Sequence, residues 1–363
     1  MMIARESNRP RFSAALLLLL AGGVLAGPLL PDPTAAAEVQ PNALRFGSVR
    51  VGATVEGSIR VFRQDNDATG LAIKVEPPVF LRVEDIRVGS QQFGPKNRGY
   101  CDIWVSLDTR RAGDYSGEIR VAIGQEQVAV PVGAWVRPQM PRLTRLLVAE
   151  TPFSRFSTGD AVFFETWKDL VEGAHLDVHY LDVRPGAPVL RSIDLAKFDV
   201  VLLGMEGLTD LSASDTDRLK RFTEQGGRTI LAADYFFRGT IANANGLLVP
   251  YGLRMTDTES RDQHEFHLGA AEIAKDPLTH GVKALYFWRP SPVAVTDSKK
   301  GRILVTAPAY PGEGHIAVAQ ADRGEVVALG QSLWWFWLSQ PKAKGSNNAV
   351  LMRNLLEKTS RQK

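Results

Sequence analysis

Between residues 39 and 136 apolar and polar positions alternate with a period of two in short runs: Ser58–Phe62, Phe80–Val88, Cys101–Leu107, Gly117–Ile123 and Gln127–Val136. Most are separated by Gly, Pro, Asn or Asp. A period of two sends alternate side chains to opposite faces, so each run predicts a strand with one face on a core. Several such strands at this spacing predict a β-sandwich. After the proline-stiffened linker Arg137-Pro138-Gln139-Met140-Pro141 the pattern changes. Leu143–Glu150 is an apolar strand ending in a carboxylate, Gly159–Gly173 has helical spacing, and His175–Val183 alternates. Phe198–Gly204 and Arg228–Asp234 are continuous apolar runs, the signature of strands buried on both faces. Between them Leu211–Gly227 predicts a helix capped by Ser212 or Ser214, with Leu219 and Phe222 on one face and Gly226-Gly227 as its stop. Strands alternating with helices predict a doubly wound, mostly parallel α/β sheet. The expected fold class is therefore multidomain, a β-sandwich followed by an α/β domain.

The 363 residues suit about two domains of roughly 150 residues each. The formal charge is +3. Arg5, Arg9 and Arg11 against Glu6 and Asp32 give the first 37 residues +1 and leave +2 for the rest, too little to predict nucleic-acid binding. Those arginines precede the apolar run Ala14–Ala26, the break Gly27-Pro28 and the triplet Ala35-Ala36-Ala37. This is the order of a secretory signal, with cleavage expected after Ala37; the alternative is an uncleaved anchor over Phe12–Leu30. No later stretch is long and apolar enough to span a bilayer. The expected organisation is a signal over 1–37, a sandwich over 38–136, a linker over 137–141 and an α/β domain over 142–363. The single cysteine, Cys101, lies in an alternating strand and is expected to be a buried structural thiol.

Two segments carry a resemblance. Leu44–Val61 and Asp108–Val136 resemble the opening and the closing hairpin of bacterial immunoglobulin-like domains of the major-sperm-protein and cilium-associated type. That resemblance implies an immunoglobulin-like sandwich serving as a binding or spacer module. Residues 142–358 resemble class I glutamine amidotransferase-like domains of the non-catalytic kind, through the strand–helix–strand order above, Ala244–Met255, Lys275–Leu285, Gly324–Trp335 and Asn347–Glu357. A catalytic member of that class carries its cysteine on a sharp elbow after the second strand. Here Ala232, Ala233, Asp234, Tyr235 and Phe236 occupy those positions, and His315 is followed by Ile316 and Ala317 instead of completing His-x-Glu. The resemblance thus implies a domain without glutamine hydrolysis, and no catalytic residue is assigned.

Ligands of doubly wound sheets bind outside the carboxyl ends of the strands. Glu150, Glu206, Asp234, Gln331 and Ser332 follow apolar strand runs, and Tyr235 and Trp334 stand beside them. This ring is the candidate ligand crevice; the plainer reading is that its carboxylates cap the following helices. A weaker candidate is a metal at His264, Glu265 and His267, with Asp262 and His280 nearby in sequence. On a strand His264 and His267 would point to opposite faces, which weakens it. Leu333–Leu338 (LWWFWL) is either core or an aromatic platform. The sequence therefore predicts an exported, non-catalytic binding or scaffold protein of the periplasm or cell envelope, recognising an envelope protein or a glycan. It predicts no cofactor and no nucleic-acid partner. The alternative is a metal-dependent or carbohydrate-related hydrolase.

Overall fold

The computed structural model describes residues 38–62, 72–93, 96–124, 126–141, 143–149, 161–184, 186–191, 193–235, 239–257, 264–331, 338 and 343–358. The expected signal segment, Glu150, Phe236, Asp262, Ser332 and Trp334 lie outside the described residues, as does the side chain of Glu206.

The first eight strands are β1 (Glu38–Gln40), β2 (Leu44–Arg50), β3 (Glu56–Phe62), β4 (Ile73–Glu76), β5 (Leu81–Phe93), β6 (Lys96–Leu107), β7 (Gly113–Ile123) and β8 (Glu126–Arg137). They form two four-stranded sheets, ordered β1-β3-β6-β5 and β2-β8-β7-β4. The alternation in the sequence explains their packing. Ile59, Val61, Cys101, Ile103 and Val105 of one sheet share a core with Leu44, Ile119, Val121, Val130 and Val132 of the other. Cys101 is 1% exposed, and burial, with the Asp102 charge second, pushes its thiol up to about 12. On the outer face of the first sheet Arg60 makes two bonds to Asp102, at 2.6 and 2.7 Å, while its guanidinium lies 3.8 Å from the centre of the Tyr100 ring.

The remaining chain gives β9 (Thr144–Ala149), α1 (Ala161–Gly173), β10 (Leu176–Leu181), β11 (Val200–Gly204), α2 (Met205–Thr209), α3 (Ala213–Glu224), β12 (Arg228–Ala232), α4 (Thr240–Leu248), β13 (Leu253–Met255), β14 (Glu265–Leu268), β15 (Leu285–Trp288), β16 (Val293–Val295), β17 (Gly301–Thr306), β18 (Glu313–Ala321), β19 (Gly324–Leu329) and α5 (Asn348–Leu356). A nine-stranded sheet runs β10-β9-β11-β12-β19-β18-β16-β13, with β17 paired to β18, and β14 and β15 form a separate hairpin. The strands from β10 to β19 in that order pair parallel, but β18, β17, β16 and β13 join antiparallel. The sheet is thus mixed rather than mostly parallel as the sequence predicts. The reason is local. β18 and β19 are linked only by Asp322, with φ +54°, and Arg323, and so short a connection can return a strand only antiparallel.

Helices cover both faces of this sheet. Trp167 of α1 and Leu351 and Leu355 of α5 pack on the side continuous with the sandwich core. Leu219 and Phe222 of α3 and Ile241 and Leu247 of α4 bury the other side. Ser212 caps α3: its Oγ accepts from the Asp215 N–H at 3.1 Å, and Asp215 accepts in return from the Ser212 N–H at 3.4 Å. No helix among the described residues is long and apolar enough to cross a membrane.

The two halves meet along the edge of β10. The Tyr180 N–H donates to the Thr54 carbonyl at 3.0 Å, and the Thr54 N–H donates to His179 Nδ1 at 2.9 Å. Glu56 accepts from Arg191 at 2.5 and 2.6 Å, with Arg184 at 3.7 Å. Behind them the Trp167 indole donates to the buried Tyr180 hydroxyl at 2.6 Å.

Candidate functional site

The parallel register sets the carboxyl ends of four strands side by side: Ala149 lies against Leu203, Gly204 against Ala232, and Ala232 against Leu329. Backbones crowd there. A Cβ on Gly207 of α2 would sit 2.1 Å from the Ala149 carbonyl oxygen. A Cβ on Gly330 would sit 2.1 Å from the Ser291 carbonyl oxygen and 3.1 Å from that of His315. Only glycine permits approaches this close.

Around Gly330 a run of hydrogen bonds ties three chain segments together. The Ala233 N–H donates to the Leu329 carbonyl at 3.0 Å, the Gly330 N–H to the His315 carbonyl at 2.9 Å, and the Ser291 N–H to the Gly330 carbonyl at 2.7 Å. The Tyr235 N–H donates to Ser291 Oγ at 2.9 Å. Gln331 Oε1 accepts the Trp288 N–H at 3.1 Å, and the Thr240 hydroxyl donates to the Asp234 carbonyl at 3.1 Å. The structure brings Asp234, Tyr235 and Gln331 of the predicted ring together at this node. It adds Ser291 and His315, which the sequence did not place there. Ser291 follows Arg289-Pro290 in a loop with no motif around it, and His315 is one polar residue in an apolar strand.

The node is deeply buried. Ser291, His315 and Gln331 are 0% exposed and Asp234 is 1% exposed. Asp234 and Gln331 are thus enclosed within the node, and a Cβ on the neighbouring Gly330 would meet the Ser291 carbonyl oxygen. Tyr235 is half-buried at the edge. Gln331 Nε2 is buried without a hydrogen-bond acceptor, an arrangement that costs about 1–3 kcal/mol. α4 begins at Thr240 with Gly239 as its N-cap.

The same contacts decide what chemistry the elbow position can support. A nucleophile elbow needs a strained turn that exposes the nucleophile, and it uses the next residue's N–H as an oxyanion donor. Asp234 is buried and is not among the residues with positive φ. The N–H that follows it is already bonded to Ser291. Asp234 is thus neither exposed nor flanked by a free donor.

The residues of the weaker metal candidate lie on the β14–β15 hairpin, where Glu265 faces Trp288 and His267 faces Tyr286 across the ladder. Phe266 packs on the Phe287 and His315 rings, with centroids 5.8 and 5.4 Å away. The His267 ring tilts against that of Tyr286 at 5.3 Å. Burial, with the Glu265 charge second, pushes the Tyr286 hydroxyl up to about 12. His264 precedes the strand and His280 follows the separate turn Pro277–Thr279. Among the described residues no three His, Cys, Asp or Glu side chains gather to hold a metal ion.

No family model and no curated protein matches the chain. Among solved structures it has likenesses to the VesB protease of Vibrio cholerae, at 13% identity over 27% of this chain and 31% of that one, with a TM-score of 0.18. A family 123 glycoside hydrolase from Clostridium perfringens matches at 7% identity over 58% of this chain and 62% of the enzyme, with a TM-score of 0.21. The chitinase ChiW from Paenibacillus matches at 10% identity over 61% of this chain and 28% of that one, with a TM-score of 0.17. The chain spans less than two thirds of each of these proteins, and TM-scores this low carry no argument about fold or function.

Proposed function

We propose that this is an exported, non-catalytic binding or scaffold protein of the cell envelope, built from an immunoglobulin-like sandwich and an amidotransferase-like α/β domain that has lost its nucleophile. The observation that carries the reading is the bond from the Tyr235 N–H to Ser291 Oγ, because it occupies the donor that acyl chemistry at Asp234 would need. The resemblance of residues 142–358 to the non-catalytic class supports the same view. The partner is a protein or glycan that meets the half-buried Tyr235 edge of the strand-end node. The sandwich sets the spacing of the α/β domain from its attachment or adds a second contact.

The test has two arms. Incubation with glutamine and with chromogenic glycosides is expected to give no turnover. A thermal-shift screen of soluble oligosaccharides and envelope peptides is expected to yield a stabilising ligand whose effect is lost in Tyr235→Ala. Turnover abolished by Asp234→Ala would refute the non-catalytic reading. Ligands that act equally on the wild type and Tyr235→Ala would refute the placement of the contact.

A further inference from the structure

A cleft of about 370 Å³ opens at the opposite end of the parallel strands, between the linker and the starts of β9, β10 and β11. That volume lies within the range of small-molecule sites. Its charged lining is Arg145, Asp177, Lys197 and Asp199, with Gln139, Met140 and Phe198 among the rest.

Asp177 is the unusual member. It is 4% exposed, yet its Oδ1 accepts no hydrogen bond. Its Oδ2 takes one, from the Gln139 amide at 3.3 Å. The nearest cationic type is His179, whose Nε2 stands 3.7 Å from Oδ1, too far for a hydrogen bond. The other ring nitrogen of His179, Nδ1, accepts the Thr54 N–H at 2.9 Å. Arg145 is the cross-strand partner of Asp177 but turns away: its guanidinium reaches the Lys197 carbonyl at 3.5 Å, and its backbone N–H goes to Asp199 at 2.9 Å. Arg145 and Lys197 are both exposed, and among the described residues neither makes an ion pair. The cleft therefore has a buried carboxylate at its floor and two exposed cations at its rim beside the half-buried Asp199, whose Oδ2 takes the Arg145 backbone N–H, with the buried Phe198 and the exposed Met140 as apolar wall. Asp177 and Arg145 are register partners on adjacent parallel strands, so their side chains leave the same face of the sheet.

We propose that this cleft binds a small zwitterion of the amino-acid class, its ammonium group on Asp177 and its carboxylate at Arg145 and Lys197. The site is separate from the strand-end node and does not rest on the reading given for it. Calorimetric titration of the purified protein with glycine, ethylamine and acetate tests it. Glycine is expected to bind saturably at one site per chain, with ethylamine at least about tenfold weaker and acetate undetected. Asp177→Asn is expected to abolish glycine binding. Arg145→Ala, on the exposed rim and so neutral for folding, is expected to weaken glycine about tenfold while leaving ethylamine unchanged. Thermal melts coincident with the wild type show that both variants are folded. The proposal is overturned if glycine gives no heat at tens of millimolar, if ethylamine or acetate binds as well as glycine, or if folded Arg145→Ala binds glycine like the wild type.

Discussion

At the carboxyl ends of β12 and β19, Asp234, Ser291, His315 and Gln331 are at most 1% exposed, and three backbone segments are hydrogen-bonded through them. At the amino ends of β9 and β10, Asp177 is nearly as deep, but its Oδ1 is uncommitted and the nearby cations Arg145 and Lys197 stand in water. The topology favours a site at the first end, because ligands of such sheets gather at the carboxyl ends of strands. The local bonding favours the second. What separates the two ends is the kind of atom left without a partner: a neutral amide donor, Gln331 Nε2, at the first and a carboxylate oxygen, Asp177 Oδ1, at the second. A buried donor bonded to its neighbour rigidifies; a buried charge left without a counter-charge is stabilised by whatever ligand supplies one.

The largest expected effect is at the closed end. Gly330→Ala would drive a Cβ against two carbonyl oxygens and is expected to lower stability by about 3 kcal/mol in urea unfolding. Gly246→Ala is the control. This glycine lies inside α4 with no positive φ, and a Cβ added there would meet nothing within 4 Å. The change is expected to raise stability by about 0.5–1 kcal/mol. Equal losses at both glycines would break the claim that the closed end is specially crowded. Next is Ser291→Ala, expected to cost about 1–3 kcal/mol in the same measurement by leaving the Tyr235 N–H unpaired, without creating glutamine hydrolysis.

At the open end the sign reverses. Asp177→Asn is expected to be neutral or stabilising by up to about 1 kcal/mol near pH 7, because it removes a buried charge that the fold leaves uncompensated. A loss of several kcal/mol there would mean that Asp177 is structural, and the contrast between the ends would collapse.

The sandwich supplies a reference away from both ends. Cys101 is held up to about 12, above the ordinary thiol value of 9.0, so the unfolded chain loses its proton first as pH rises. Stability contributed by the neutral buried thiol is full below about 9 and declines as pH climbs toward 12. Thiol labelling at pH 8 is expected to be slow in the native protein and complete on unfolding. Rapid native labelling would show that this core is open.

The sequence makes the closed end's scaffold legible and its wiring illegible. The continuous apolar runs of β11 and β12 and the cap at Ser212 are visible because long buried strands and capped helices have strong local signals. The antiparallel extension is not: β13 and β16 are three residues each, too short to show a period. Ser291 escapes for a different reason, since its role depends on a tertiary approach that only Gly330 permits. At the open end the alternation of His175–Val183 marks a strand, but alternation alone suggests an exposed Asp177. Its burial comes from the linker residue Gln139 and from the contact of β10 with Thr54, both distant in sequence. Asp177 and His179 do share a face at spacing two, and that pairing was the available hint.

The most direct test of the central claim is amide hydrogen exchange at Tyr235. If its N–H is committed to Ser291, it exchanges slowly in the wild type, and Ser291→Ala accelerates it while Ala233, bonded to the Leu329 carbonyl, stays protected. Exchange of the wild-type Tyr235 amide at the rate of an exposed loop, or exchange unchanged by Ser291→Ala, would contradict the account and leave a donor free beside Asp234.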